Sequence, residues 1–321
     1  MSPAPRLPPA ARAIVAGDRR ALARAITAVE NDDPAARPIV RALYPRTGKI
    51  PVIGLTGPLG VGKSSLLSLL IGRLRTAGRS VGAIAVDPSS PFSGGSVLGD
   101  RIRLERRADD DGVYFRSMAS RGEAGGIAAA TREVARLLEA AGFDLVFVET
   151  VGSGQVDVAI REVATTSVVV LVPHLGDDVQ TLKAGLFEIA DIFDVNKSDL
   201  PGADRAARDL SELASLGRSA DGWTSRIVRT STTAPMGLDE LWEAIESHER
   251  FLDESGGRVA GERRRLAREI ADRVREHVGR DVTVRLDRDR ELRSLLDRVV
   301  ARRTDPISAA DRLYRQRYRA R

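Results

Sequence analysis

The sequence predicts an α/β protein with a mostly parallel sheet in a three-layer arrangement, flanked by helical extensions at both ends. Three observations carry that expectation. Short apolar runs alternate with amphipathic helical stretches through the middle of the chain, as strands buried on both faces by helices require. The first of these runs feeds a glycine-rich loop that opens directly into a helix. The two ends show helical periodicity and no strand runs. The expected division is an N-terminal helical extension over 1–45, a sheet domain over 46–254 and a C-terminal helical arm over 255–321.

The elements follow in order. Asp18 precedes Leu22, Ile26 and Val29, spaced for one helix face, and Asp33-Pro34 opens a second with Ile39, Val40 and Leu43. Pro45 and Gly48 end this segment. Ile50 to Leu55 reads as a strand and Ser64 to Arg75 as an amphipathic helix. Strands are expected at Ser80–Val86, Val113–Arg116, Phe143–Val148, Ser167–Val172, Ile192–Val195 and Ile227–Thr230. Helices are expected at Thr131–Ala141 and Leu238–Phe251. Beyond the break at Glu254-Ser255-Gly256-Gly257, one helix face is marked by Leu266, Ile270, Val274 and Val278. A second is marked by Leu292, Leu295, Leu296, Val299 and Val300, and Asp305-Pro306 opens a third. Such stripes must be buried, against the main domain or against a second copy of the chain.

Composition narrows the chemistry. The 321 residues are 42% hydrophobic and 30% charged, an ordinary globular balance. The absence of cysteine excludes disulfides, thiolate metal sites and cysteine nucleophiles, and three histidines leave little for an imidazole cluster. No run approaches the length of a membrane span and no apolar segment follows the N-terminal prolines, so the expected compartment is the cytoplasm, with no membrane partner. From Gly257 onward 20 arginines face 11 acids, a local excess of +9 in a chain of net charge +5. Those arginines are interleaved with acids, as in Arg285-Leu286-Asp287-Arg288-Asp289-Arg290, the pattern of solvated helix faces; no nucleic-acid partner is expected.

The run Gly57-Pro58-Leu59-Gly60-Val61-Gly62-Lys63-Ser64 matches GxxxxGK[ST] between a strand and a helix, which predicts the P-loop NTPase fold. Glycines let successive backbone N–H groups curl around a β-phosphate, and the helix dipole adds to that attraction. Lys63 supplies a mobile charge to the β- and γ-phosphates, and Ser64, followed by Ser65, a hydroxyl ligand for Mg²⁺. Downstream, Asn196-Lys197-Ser198-Asp199 matches NKxD at a strand end. A carboxylate at Asp199 can accept from the guanine N1–H and 2-amino group, donors that adenine lacks. The turn with Ser231 and Thr232 is placed to close over the base, so GTP and GDP are the expected nucleotides. Glu149-Thr150-Val151-Gly152 supplies an acid for the Mg²⁺ shell and, at Gly152, an N–H able to sense the γ-phosphate. Asp87 and Asp100 are further metal candidates, although Asp87 could instead cap the turn before Pro88, and Asp100 could pair with Arg101 or Arg103.

At this point the residues resemble a known family. The stretch from Ala85 to Arg101, with Asp87-Pro88-Ser89-Ser90-Pro91-Phe92 at its head, is similar to the MeaB/ArgK family of P-loop GTPases. The likeness continues through Ser117-Met118-Ala119-Ser120-Arg121-Gly122, Gly176-Asp177-Asp178, Gln180-Thr181-Leu182-Lys183 and Glu188-Ile189-Ala190-Asp191 to Asp305-Pro306. The resemblance implies a GTPase that accompanies an adenosylcobalamin-dependent acyl-CoA mutase, gating the loading of intact cofactor and the rejection of damaged cofactor. It implies helices on both sides of the GTPase domain and a homodimer made by the C-terminal arm. It also places Gln180 and Lys183 in a third switch, where contacts with the mutase stimulate hydrolysis. The chain departs from the family pattern at Glu123, where the loop usually carries His, at Ser153 and Val156, and at His174. These positions lie in switch or partner-facing loops, outside the nucleotide grip. Gln155 sits three residues after Gly152 rather than beside it, so slow intrinsic hydrolysis completed by the mutase is expected.

Other readings are a nickel metallochaperone GTPase, a kinase serving an arginine/ornithine transport system, and a nucleotide-gated interaction protein with incidental hydrolysis. The dearth of cysteine and histidine argues against the first. The basic residues add a further pointer: 46 are arginine and only Lys49, Lys63, Lys183 and Lys197 are lysine. Three of the four fall on the phosphate loop, the third switch and the guanine motif, and the loop and guanine-motif roles need a slender ammonium that a guanidinium would overfill.

Overall fold

The computed structural model describes residues 7–87, 110–119, 124–150, 159–173, 188–216, 222–234 and 236–317. Its strands are β1 (Val52–Thr56), β2 (Val81–Asp87), β3 (Val113–Ala119), β4 (Leu145–Thr150), β5 (Thr166–Leu171), β6 (Ile192–Val195) and β7 (Arg226–Arg229). Among the described residues they form one seven-stranded sheet in the order β3-β2-β4-β1-β5-β6-β7, with every pairing parallel. Parallel pairing needs crossovers, and the helices that make them cover both faces.

The helices are α1 (Pro9–Val15), α2 (Arg19–Glu30), α3 (Ala36–Leu43), α4 (Lys63–Thr76), α5 (Ala124–Ala140), α6 (Ala203–Leu216), α7 (Leu238–Glu254), α8 (Gly257–Arg288), α9 (Arg290–Val300) and α10 (Pro306–Arg317). One core cluster joins Ile14, Leu22, Ile26, Leu138 and Leu210 from α1, α2, α5 and α6 to Val146, Val148, Val169 and Phe193 of the sheet. The other joins Leu66, Leu70, Leu241 and Ile245 from α4 and α7 to Ile53, Leu55, Phe147, Val168, Val170 and Ile192. Alternate residues of the same strands thus feed opposite clusters, as a pleated sheet between two helical layers demands.

Helix α2 forms where its cap predicts, whereas α3 begins at Ala36, two residues beyond the expected Pro34. Asp18 accepts hydrogen bonds from the N–H groups of Arg20 and Ala21 at 2.8 and 2.9 Å and starts α2. Arg116 of β3 pairs with Glu30 of α2 and so ties this layer to the sheet. Glu139 of α5 accepts from three successive N–H groups, those of Gly48 (2.7 Å), Lys49 (2.7 Å) and Ile50 (3.2 Å), and sets the chain's entry into β1. Glu139→Ala leaves those donors without their carboxylate. It is expected to cost about 1–3 kcal/mol, read as a lowered urea midpoint with an unchanged slope.

Several boundaries differ from expectation. β1, β2 and β4 begin and end one or two residues later than the apolar runs suggest, because the last ladder bond of each falls on a polar residue such as Thr56 or Thr150, while β3 runs three residues further than expected, to Ala119. β5 and β7 instead begin and end one residue early, at Thr166 and Leu171 and at Arg226 and Arg229. Helix α5 begins at Ala124 rather than Thr131, through an alanine- and glycine-rich turn without an apolar period. Helix α6 is a full element between β6 and β7, where no helix was among those expected.

The chain divides into two compact units, 1–263 and 264–321. The first holds the sheet and both core clusters. The second holds the remainder of α8 with α9 and α10, which pack against each other. Its arginines pair along their own helices, as in Arg273–Glu269, Arg280–Glu276 and Arg285–Asp281, each one turn apart. Among the described residues no helix is long and apolar enough to cross a membrane.

Candidate functional site

In a parallel sheet the loops at the C-terminal strand ends gather on one edge. Here that edge collects the glycine-rich loop after β1, Glu149 in β4, the NKxD residues after β6 and the Ser231 turn after β7. Register places Leu55 beside Glu149 and Thr56 beside Val169, so the phosphate loop leaves the centre of the sheet. Beneath it Thr150 donates to Thr56 across the two central strands at 2.8 Å.

The loop is shaped by close approaches. Gly57 has φ +136°, and a Cβ there would lie 2.1 Å from the Val170 carbonyl oxygen. Gly62, at φ +98°, precedes α4, and a Cβ on it would lie 2.4 Å from Nδ2 of Asn196. Among the described residues no side chain caps α4, so its first-turn N–H groups face the loop's concavity. Lys63 is 5% exposed, its Nζ donating to the carbonyls of Gly57 (2.7 Å) and Pro58 (2.8 Å). Ser64 and Ser65 follow on the first turn of α4, and Leu59 stands at the exposed tip.

The guanine motif is bonded to this loop rather than merely near it. Asn196, fully buried, donates from Nδ2 to the Val61 carbonyl at 2.7 Å. Lys197, at φ +56°, donates from Nζ to the Gly60 carbonyl at 2.9 Å. Asp199 accepts from Ser231 Oγ at 2.5 Å and from Thr233 Oγ1 at 3.3 Å. The Ser231 hydrogen bond, ahead of the other contributions, holds the Asp199 carboxyl below the usual carboxylate range, so it stays an acceptor. Among the described residues the second hydroxyl on Asp199 thus comes from Thr233, where Thr232 was the expected companion of Ser231.

Ser64 Oγ donates to Glu149 Oε1 at 2.5 Å, which brings two of the expected Mg²⁺ ligands together. Asp87 closes β2 on the same edge; its side chain, with Asp100, Gly152, Gln180 and Lys183, lies outside the described residues. The departures at Glu123, Ser153, Val156 and His174 lie outside them too.

Sequence reasoning missed Asp194. It sits mid-strand in β6 with no exposed surface, and both its oxygens lie within 2.9 Å of Thr230 Oγ1. Thr230 in turn is 3.3 Å from Asn196 Oδ1. An acid inside a buried strand was the one signal available, and its partner is 36 residues away, directly after the end of β7.

Comparison with known proteins gives this geometry its setting. The family model described as "Methylmalonyl Co-A mutase-associated GTPase MeaB" matches residues 22–286. A Pyrococcus abyssi protein carrying a GTPase name is 48% identical over 303 residues, 94% of this chain and 93% of that protein. GTPase ArgK of Escherichia coli is 37% identical over 248 residues, 75% of each chain. The crystal structure of an LAO/AO transport system kinase aligns with a TM-score of 0.72 at 28% identity, covering 95% of both chains. With a family model matched over most of its length and a phosphate loop joined to a guanine motif, the chain belongs to the MeaB family of P-loop GTPases.

Proposed function

We propose that this GTPase hydrolyses GTP to gate the loading of adenosylcobalamin into, and the protection of, an acyl-CoA mutase of the methylmalonyl-CoA type. The observation that carries the nucleotide half is the pair of hydrogen bonds from Asn196 and Lys197 to the phosphate loop, which make one site of the base and phosphate motifs. The mutase half is supported by the family's description, which names methylmalonyl-CoA mutase as the associate.

In this reading the loop from Gly57 to Ser65 wraps the phosphates, with Lys63 neutralising charge on the β- and γ-groups. Asn196, Lys197 and Asp199, with Ser231 and Thr232, hold the guanine. The Ser64 hydroxyl and the Glu149 carboxylate offer the hard oxygens that Mg²⁺ prefers, with Asp87 and Asp100 completing its surroundings. Bound there, Mg²⁺ would neutralise charge developing on the phosphate oxygens. Gly152, Gln180 and Lys183 complete the hydrolytic arrangement when the mutase engages, and the helices from 255 onward join two copies into a homodimer. The protein works in the cytoplasm and uses neither nucleic acid nor membrane.

GTP turnover measured with and without a methylmalonyl-CoA-type mutase tests this. A rise of about tenfold or more is expected, since a group supplied in trans to a slow GTPase is worth at least that much. Unchanged turnover, together with no nucleotide-dependent capture of the mutase, would overturn the partner assignment while leaving the GTPase intact.

A further inference from the structure

Strand β6 is buried along its whole length, and alternation puts Asp194 on the face of Ile192, towards the cluster of α4 and α7. The mechanism above leaves this enclosed carboxyl group without a task. Its hydrogen-bond partner Thr230 Oγ1 lies 2.8 Å from Oδ1 and 2.9 Å from Oδ2, and also 3.3 Å from Asn196 Oδ1. The orientation of the Asn196 amide is set at its other end. The Val61 carbonyl only accepts, so the group 2.7 Å from it must be the NH₂, and Oδ1 is left facing Thr230.

One hydroxyl carries one proton, so Thr230 donates either to Asp194 or to Asn196. An ionised Asp194 only accepts and takes that proton. Thr230 Oγ1 and Asn196 Oδ1 then confront each other as acceptors with no hydrogen between them. A neutral Asp194 donates to Thr230 Oγ1, and Thr230 passes its own proton to Asn196. We propose that Asp194 is a positioning residue of the guanine-nucleotide site: neutral, it completes the chain Asp194–Thr230–Asn196–Val61 that braces the phosphate loop, and ionised, it breaks that chain. The inference rests on the nucleotide site proposed above.

The surroundings leave that switch to Asp194 itself. Register sets Val170 of β5 and Val228 of β7 beside it. On its own face, Lys63 of α4 is held by the Gly57 and Pro58 carbonyls, while Thr166 binds His248 and Glu249 of α7. Asp239, Glu240 and Glu243 of α7 are exposed. So are Asp204, Arg205, Arg208, Asp209 and Glu212 of α6, and Arg226 and Arg229 of β7. In the turn beyond, Lys197 bonds Gly60 and Asp199 accepts from Ser231. Burial, opposed by the Thr230 hydrogen bond, pushes the Asp194 carboxyl up to about 7. The neutral form therefore prevails below neutrality, and nucleotide affinity falls as pH rises through that value.

The test is the Kd for GDP of the full-length chain between pH 6 and 8, in wild type, Asp194→Asn and Thr230→Val. Asparagine keeps the shape of the carboxyl group and donates to Thr230 at every pH, copying the neutral acid. The terminal phosphate of GDP titrates in the same range, so the readout is the ratio of wild-type to Asp194→Asn Kd. That ratio is expected to rise about three- to tenfold from pH 6 to pH 8, the worth of one hydrogen bond. Thr230→Val, which breaks the chain at every pH, is expected to weaken binding by a similar factor already at pH 6. A ratio that stays flat, or Thr230→Val binding as wild type at pH 6, overturns the inference. ADP serves as the second ligand. A wild type that binds GDP no better than ADP overturns the guanine reading and the inference with it. A preference for GDP with a flat ratio overturns the inference alone.

Discussion

Lys63→Ala is expected to lower GTP turnover by about 10²- to 10³-fold, the usual cost of deleting one preorganised charge from a phosphoryl-transfer site. Lys63 heads α4 and is almost wholly buried, with its ammonium 2.7 and 2.8 Å from two loop carbonyls. The loop that would wrap the phosphates thus also aims the cation, and exchanging a carbonyl for a phosphate oxygen costs it little movement. Lys63→Arg is expected to restore less than a tenth of the lost activity, because a planar guanidinium cannot fit where a single nitrogen meets two carbonyls. Phosphate release under single-turnover conditions, with GDP affinity measured separately, distinguishes a loss in chemistry from a loss in binding. A loss below about tenfold in both would remove Lys63 from the phosphate role.

Gly57→Ala is expected to be the most destabilising single change in the loop, by about 3–5 kcal/mol. Two costs add. A Cβ would stand 2.1 Å from the Val170 carbonyl oxygen, within β5 and paired to β6, where backbone cannot give way cheaply. The residue would also be held at φ +136°, a region that L side chains avoid. Gly60→Ala provides the contrast: φ is again positive, at +78°, but among the described residues its Cβ would meet nothing within 4 Å, so about 1 kcal/mol is expected. Urea midpoints of the two variants, compared at equal slope, read the difference. Equal losses would mean that the approach to Val170 has no energetic weight.

Much of this arrangement was legible in the residues. The glycine-rich loop and NKxD carry chemistry in single positions, so their types and spacing alone place them at strand ends, where they stand. The strands were legible because burial on both faces makes them near-continuous apolar runs, as in Val168-Val169-Val170-Leu171. Helix α6 was hidden because Ala203, Ala206, Ala207 and Ala214 supply much of its inward face, and alanine barely registers as an apolar period beside Pro201 and Gly202. Periodicity says which face a residue occupies but not what it meets across strands. Asp194 and Thr230 meet only through the pairing of β6 with β7, and Ser64 meets Glu149 across 85 residues of chain. Thr233 reaches Asp199 only because the turn after β7 folds back, with Ser231 N–H donating to the Met236 carbonyl.

The hydrogen bonds from Asn196 and Lys197 to the phosphate loop have one further consequence. If the two motifs hold base and phosphates as proposed, they form a chelating pair of claws at fixed separation. The ribose then acts as a tether already cut to length. Once either end of the nucleotide is seated, the other is presented at an effective concentration far above that of free ligand. Guanosine alone or pyrophosphate alone would be held weakly, while the intact nucleotide gains a slow dissociation that neither half explains. Loosening Asn196 from Val61 would spread the claws and forfeit that gain with every direct ligand contact still in place.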